Sequence, residues 1–200
     1  MTSLLDASPQ PGFADPVHDS QRSFRAMLDA IAQPGRIVRA ASPLATPAPL
    51  MPAAAAALLT LVDHETPLWL DAAARTDAAL AWIRFHCGAP IVDAPDACRF
   101  ALIADAASMP ALDRFPVGVD AFPDRSATVI LQVGDLSDAG GMTLRGPGIE
   151  TTARLAVAGL PAGFVAGWRA NRALFPCGVD LFLVAGERIA ALPRTTELEG

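Results

Sequence analysis

The chain has 200 residues, a formal net charge of -6 and an apolar fraction of 52%. That length suits a single domain over residues 1–200, able to bury about 70% of its unfolded surface, and such hydrophobicity excludes disorder. All fifteen basic residues are Arg, which excludes a Schiff-base lysine, a Walker A loop and a lysine general base.

Met1 to Pro16 has no basic residue and no apolar core, so no signal peptide is expected. Asp15-Pro16 starts a helix, with Asp as N-cap and Pro at the first helical position. Val17, Phe24, Leu28 and Ile31 then fall near one helical stripe, and Pro34-Gly35 stops the helix. Ile37 to Arg39 reads as a strand, and Ser42 to Pro52, with four prolines, as an irregular loop. Ala53 to Val62 is a helix apolar on most faces, hence buried, and Asp63-His64-Glu65 closes it. Pro67 to Leu70 is a short strand containing Trp69.

Asp77 opens another helix, in which Leu80, Ile83 and Cys87 share a side, and Gly88-Ala89-Pro90 ends it. Strand-like runs follow at Ile91-Val92, Arg99 to Ala104 and Ala127 to Val133. Gly140-Gly141 precedes Met142-Thr143-Leu144, and Gly146-Pro147-Gly148 makes a turn. Pro161 begins a helix with Phe164, Val165 and Trp168 on one side and Arg169 and Arg172 beside them. Val179 to Val184 is a buried strand, and Gly186-Glu187 is a hairpin turn returning through Arg188 to Leu192. Interleaved helices and strands with a late hairpin favour an α/β sheet covered on both faces, mixed rather than purely parallel.

No catalytic residue is assigned from this pattern. Cys87, Cys98 and Cys177 are odd in number and dispersed, as are His18, His64 and His86, so neither a disulfide framework nor a metal site is expected. No basic run supports nucleic-acid binding, and the longest apolar run is too short to span a bilayer. A soluble, cytoplasmic protein is the expectation. Asp63, His64 and Glu65 read as a solvated loop, since neighbours at a helix end do not face one another. His86 and Cys87 diverge by about 100° on a helix and make no dyad. Ser126 has no His–acid partner nearby in sequence.

The Gly146-Pro147-Gly148 segment resembles the start of G-x-G-x-x-G, but Thr151 stands at the third Gly. It reads first as a tight turn. As a binding site, Arg145, Gly146 and Gly148 would present a guanidinium and backbone N–H groups to an anion. Gln21, Arg22 and Arg25 lie on the polar side of the first helix, and Arg169 and Arg172 repeat that pattern later. Such arginines suit carboxylate or phosphate partners, or simply a solvated face.

Several segments together carry a family resemblance. They are Phe13 to Val17, Gln21 to Arg25, Pro34-Gly35, Asp63 to Leu70, Phe85 to Pro90, Leu144 to Ile149, Phe175 to Asp180 and Leu192 to Thr196. In this order, over nearly the whole chain, they resemble the PhnH family, the H subunit of the bacterial carbon–phosphorus lyase machinery. The resemblance implies a part in using phosphonates as a phosphorus source. It implies an assembly with the G, I and J subunits, which exchanges the adenine of ATP for methylphosphonate. The product is alpha-D-ribose 1-methylphosphonate 5-triphosphate. It also implies a three-layer α/β/α sandwich similar to the large domain of pyridoxal-phosphate-dependent transferases, without that cofactor, and a homodimer when isolated.

The family has no established catalytic residue on this subunit, so none is carried over, and no cofactor is expected. Gln21, Arg22, Arg25, Trp168, Arg169 and Arg172 are the candidate partner or dimer interface. Partner binding rather than chemistry of its own is the leading reading. The alternative is an independent anion-binding enzyme or binding protein using Arg145, Gly146 and Gly148. Cys177 departs from the family, standing where an apolar residue is expected, which is a mild change if buried.

Overall fold

A computed structural model describes residues 10–40 and 44–199. The readings of Met1 to Pro16 and of Ser42 to Pro52 therefore lie partly outside the described residues. Among the described residues four α-helices form: α1 (Pro16–Ala32), α2 (Pro52–Leu61), α3 (Asp77–His86) and α4 (Phe164–Arg172). The strands are β1 (Val38–Arg39), β2 (Leu68–Leu70), β3 (Ile91–Val92), β4 (Phe100–Ile103), β5 (Thr128–Gln132), β6 (Asp135–Arg145), β7 (Ala153–Ala158), β8 (Asp180–Ala185), β9 (Arg188–Leu192) and β10 (Glu197–Glu199).

The main sheet is mixed and runs β1-β9-β8-β5-β4-β2-β3. β3, β2, β4, β5 and β8 are mutually parallel, while β9 pairs antiparallel with β8 and β1 with β9. By order of appearance the parallel block is 2-1-3-4-5, one of the doubly wound orders. Because side chains alternate along a strand, each face of the sheet has its own core. Leu68, Leu70, Leu102, Ile130, Phe182 and Val184 meet α1, α2 and α3 on one side. Ala101, Ile103, Val129, Leu131, Leu181 and Leu183 meet residues of α4, β6, β7 and β10 on the other.

That second layer differs from the expected helical one. A separate antiparallel sheet, ordered β10-β6-β7, covers it together with α4. Its hairpin was not readable from apolar alternation, because β6 carries Gly140-Gly141 in its middle. These glycines form a bulge with φ of 91° and 74°, and the pairing with β7 shifts between Ser137 and Met142. An added Cβ at Gly141 would collide with the backbone of Leu155 and Ala156, so only Gly lets the two strands approach.

Helix α1 opens as expected: the Asp15 side chain accepts the His18 amide at 3.2 Å, and Pro16 begins the helix. Its buried face is not the apolar stripe, of which Ile31 packs against the core. Asp19, Ser23, Met27 and Ala30 point inward, while Val17, Phe24 and Leu28 face solvent. The reason is the neighbour. α2 is a run of alanines, Ala53–Ala57, each fully buried with Leu58. Small residues on both helices permit a close approach that Phe24 would prevent. α4 also starts later than Pro161: Gly163 is left-handed at φ 78°, so the helix opens at Phe164.

Candidate functional site

In an open α/β sheet the expected ligand crevice lies beyond the carboxyl ends of the strands, at the point where strand order reverses. Here that point is between β2 and β4. Asp71, buried just past β2, fills it. Its carboxylate accepts the Ala74 amide and, across the crevice, the Asp105 amide, each at 2.9 Å. Further along the same edge, buried Gln132 accepts the Met51 amide at 2.6 Å and donates to the Pro49 carbonyl at 3.0 Å. Both polar groups tie loops together, with their acceptor oxygens engaged by the chain itself.

The Arg145 to Gly148 turn is a structural junction. Gly148 has φ 83°, and an added Cβ would run into the carbonyl oxygen of Ala32 at the end of α1. Arg145 lies across from Glu197 in the β6–β10 ladder, and its Nε is 3.6 Å from a Glu199 carboxylate oxygen, both side chains being half-exposed. The anion-binding trio thus comes together in sequence, but its cation already faces a carboxylate.

On α4 the three named residues reach the C-terminal strand. Trp168 is fully buried and donates its indole N–H to the Thr196 carbonyl at 2.8 Å. Arg169 donates to the Leu198 carbonyl at 3.2 Å, and Arg172 pairs with Glu197 at 2.9 Å. On α1, Gln21, Arg22 and Arg25 are all exposed, and Arg22 pairs with buried Asp19. A backbone amide, Asp15 N–H, holds the Asp19 carboxyl below its ordinary value, with Arg22 adding to the effect. The six interface candidates therefore split between two elements: those on α1 border exposed Phe24 and Leu28, and Arg172 on α4 borders exposed Phe175.

A polar centre that motif reasoning passed over sits at the opposite edge of the sheet. Arg194 is 13% exposed and lies against Asp180, 21% exposed. It donates to both Asp180 oxygens, at 3.1 and 2.5 Å, to Ser126 Oγ at 2.5 Å and to the Pro123 carbonyl at 2.9 Å. The signal was present: both residues belong to segments quoted for the resemblance, at Phe175 to Asp180 and Leu192 to Thr196.

Among the described residues no histidine bonds a Ser, Thr or Cys side chain. His18 lies on Asp15, His64 is solvent-exposed beside Glu65, and His86 bonds the Gln10 carbonyl at 2.9 Å. No cluster of His, Cys, Asp and Glu able to hold a metal ion occurs among the described residues. The three cysteines are buried, Cys177 with its Sγ 3.7 Å from an Asp120 oxygen. Burial pushes the Cys87 thiol up to about 12 and Cys98 to about 11.

At pH 8 their thiolate fractions are then about one in ten thousand and one in a thousand. Ellman's reagent is expected to titrate neither in the native chain and to titrate both in guanidinium. Because the folded values are raised, the stability held by these thiols is complete below the unfolded value near 9 and is lost as the pH climbs through 11 and 12. Prompt native reaction of Cys87 or Cys98 would contradict their burial.

No helix among the described residues is long and apolar enough to cross a membrane. The sequence pattern of the family described as "Bacterial phosphonate metabolism protein (PhnH)" matches residues 11–199. Alpha-D-ribose 1-methylphosphonate 5-triphosphate synthase subunit PhnH of Rhizobium meliloti (strain 1021) is 46% identical over 187 residues, which is 94% of each chain. Putative C-P lyase subunit protein HtxG of Stutzerimonas stutzeri is 33% identical over 187 residues, covering 89% of this chain and 85% of that one. With its ordered segments, its mixed α/β sheet and a match that runs through every described strand and helix, this chain belongs to the PhnH family.

Proposed function

We propose that this chain is the H-type subunit of an assembly that forms alpha-D-ribose 1-methylphosphonate 5-triphosphate. It contributes by binding partners rather than by chemistry of its own. In this reading it works in the cytoplasm with G, I and J subunits and pairs with itself when alone. In this reading the fold is similar to the large domain of pyridoxal-phosphate transferases, without the lysine that would hold the aldehyde. The observation that carries the reading is a contrast. The polar groups near the crevice and turn are spent on the chain's own backbone and carboxylates, whereas α1 turns Val17, Phe24 and Leu28 to solvent.

The test is turnover of ATP with methylphosphonate. The purified chain alone is expected to be inactive, and co-expression with the G, I and J subunits is expected to restore product. Robust turnover by the single chain overturns the reading. Calorimetry separates the independent anion-binding alternative: micromolar ATP or phosphonate binding that Arg145→Ala abolishes would favour it.

A further inference from the structure

We propose that the loops leading into β5 and β8 form one docking surface for another subunit of the assembly, one that brings an apolar anchor side chain and a carboxylate. The inference rests on the partner-binding reading above and deepens it by naming the surface. Val119, Phe122, Leu174 and Phe175 are 58%, 47%, 43% and 62% exposed, half of the large apolar side chains that the described residues turn to solvent. They belong to one end of the sheet, since residues 117–126 lead into β5 and residues 173–179 into its parallel neighbour β8. Apolar surface gathered in this way marks an interaction site.

The two loops are fixed to each other. Val119 and Phe122 pair across a tight turn, with the Phe122 amide donating to the Val119 carbonyl at 2.8 Å. The Gly178 amide donates to the Val117 carbonyl at 2.8 Å, which joins one loop to the other. Largely enclosed Arg194 donates to the Pro123 carbonyl at 2.9 Å and to the Pro176 carbonyl at 3.3 Å, one on each loop. A surface ordered before it binds loses little conformational freedom on binding.

Shape and charge name the chemistry of the occupant. Phe175 also lines a recess of about 420 Å³ with Pro147, Arg172 and Thr195, which has room for an apolar anchor side chain. Exposed Arg125 lies 4.1 Å from the centre of the Phe122 ring. The ring holds the guanidinium by its face and leaves the N–H edge open. Among the described residues that edge meets no acceptor: Asp120 is turned to Cys177, and Asp124 makes no pair with Arg125. A carboxylate is the group that such a fork takes through two parallel bonds.

Co-purification of the tagged full chain with co-expressed G, I and J subunits tests this. Phe122→Ser and Phe175→Ser are each expected to lower capture of those subunits at least about tenfold. Arg125→Glu should do the same, by setting a like charge against the partner's acid, and Arg125→Lys should fall between it and the wild type. Phe85→Ser, equally exposed but on α3, should leave capture unchanged. All these side chains are exposed, so circular dichroism, thermal unfolding and sedimentation of each isolated variant should match the wild type. Capture that survives both Phe122→Ser and Phe175→Ser overturns the proposal, as does Arg125→Glu captured like the wild type, an equal loss in Phe85→Ser, or variants that instead change the oligomeric state of the isolated chain. A wild type that captures no partner subunit overturns the functional reading, and this inference with it.

Discussion

Trp168→Ala is expected to cost about 4 kcal/mol. Trp168 is fully buried, stacks on Phe164 at 6.3 Å between ring centroids, and fastens β10 through its bond to Thr196. The substitution removes a large apolar body and leaves the Thr196 carbonyl unpaired inside the core. Urea unfolding followed by circular dichroism gives the loss. Amide exchange at Leu198 should accelerate more than at Ile130, since β5 is held by two neighbouring strands while β10 pairs only with β6. Trp168→Phe keeps the packing but not the N–H and should fall between the two. Equal protection of β10 in wild type and Trp168→Ala would show that α4 does not hold that strand.

Arg194→Leu is expected to cost about 3 kcal/mol, measured the same way. The variant leaves Asp180 without its guanidinium in a largely enclosed site and removes donors from Ser126 and the Pro123 carbonyl. Most of the penalty is the stranded carboxylate, so Arg194→Leu with Asp180→Leu should be more stable than Arg194→Leu alone. Arg194→Lys should not rescue, because one ammonium cannot span both Asp180 oxygens, Ser126 and a carbonyl at once. Additive losses in the double variant would mean that the two side chains act independently.

Both variants bear on function through one physical point. β10, α4 and the 192–196 segment are joined by side-chain bonds to backbone carbonyls rather than by a long strand ladder. Arg169 and Arg172, singled out as interface candidates, spend donors in this junction. α1 spends fewer: Gln21 and Arg25 have open surface around them.

How much was legible from sequence varied element by element. The start of α1 at Asp15-Pro16, the buried α2, the short apolar strand runs and the Gly186-Glu187 hairpin rest on local rules of capping, propensity and turn chemistry, which operate within a few residues. The solvated Asp63 to Glu65 loop and the buried Cys87 follow from the same rules. The β6–β7–β10 sheet was hidden because a glycine bulge interrupts its alternation and β10 has only three residues. The roles of Arg145, Arg169 and Arg194 were equally hidden, since each depends on a group far along the chain: Glu199, the Leu198 carbonyl and Asp180.

The amino-acid sequence alone was enough to exclude lysine chemistry, to forecast a mixed α/β sheet, and to point to a phosphonate-metabolism family through an ordered set of segments. It could not say which side of α1 faces inward. Apolar periodicity names a stripe but not its destination. Close packing on the alanines of α2 selected the small residues Ser23 and Ala30 for the interior and left Phe24 and Leu28 outside. Three of the four residues of the apolar stripe, Val17, Phe24 and Leu28, became surface, because helix separation is set by the bulk of both partners and is written in neither helix by itself.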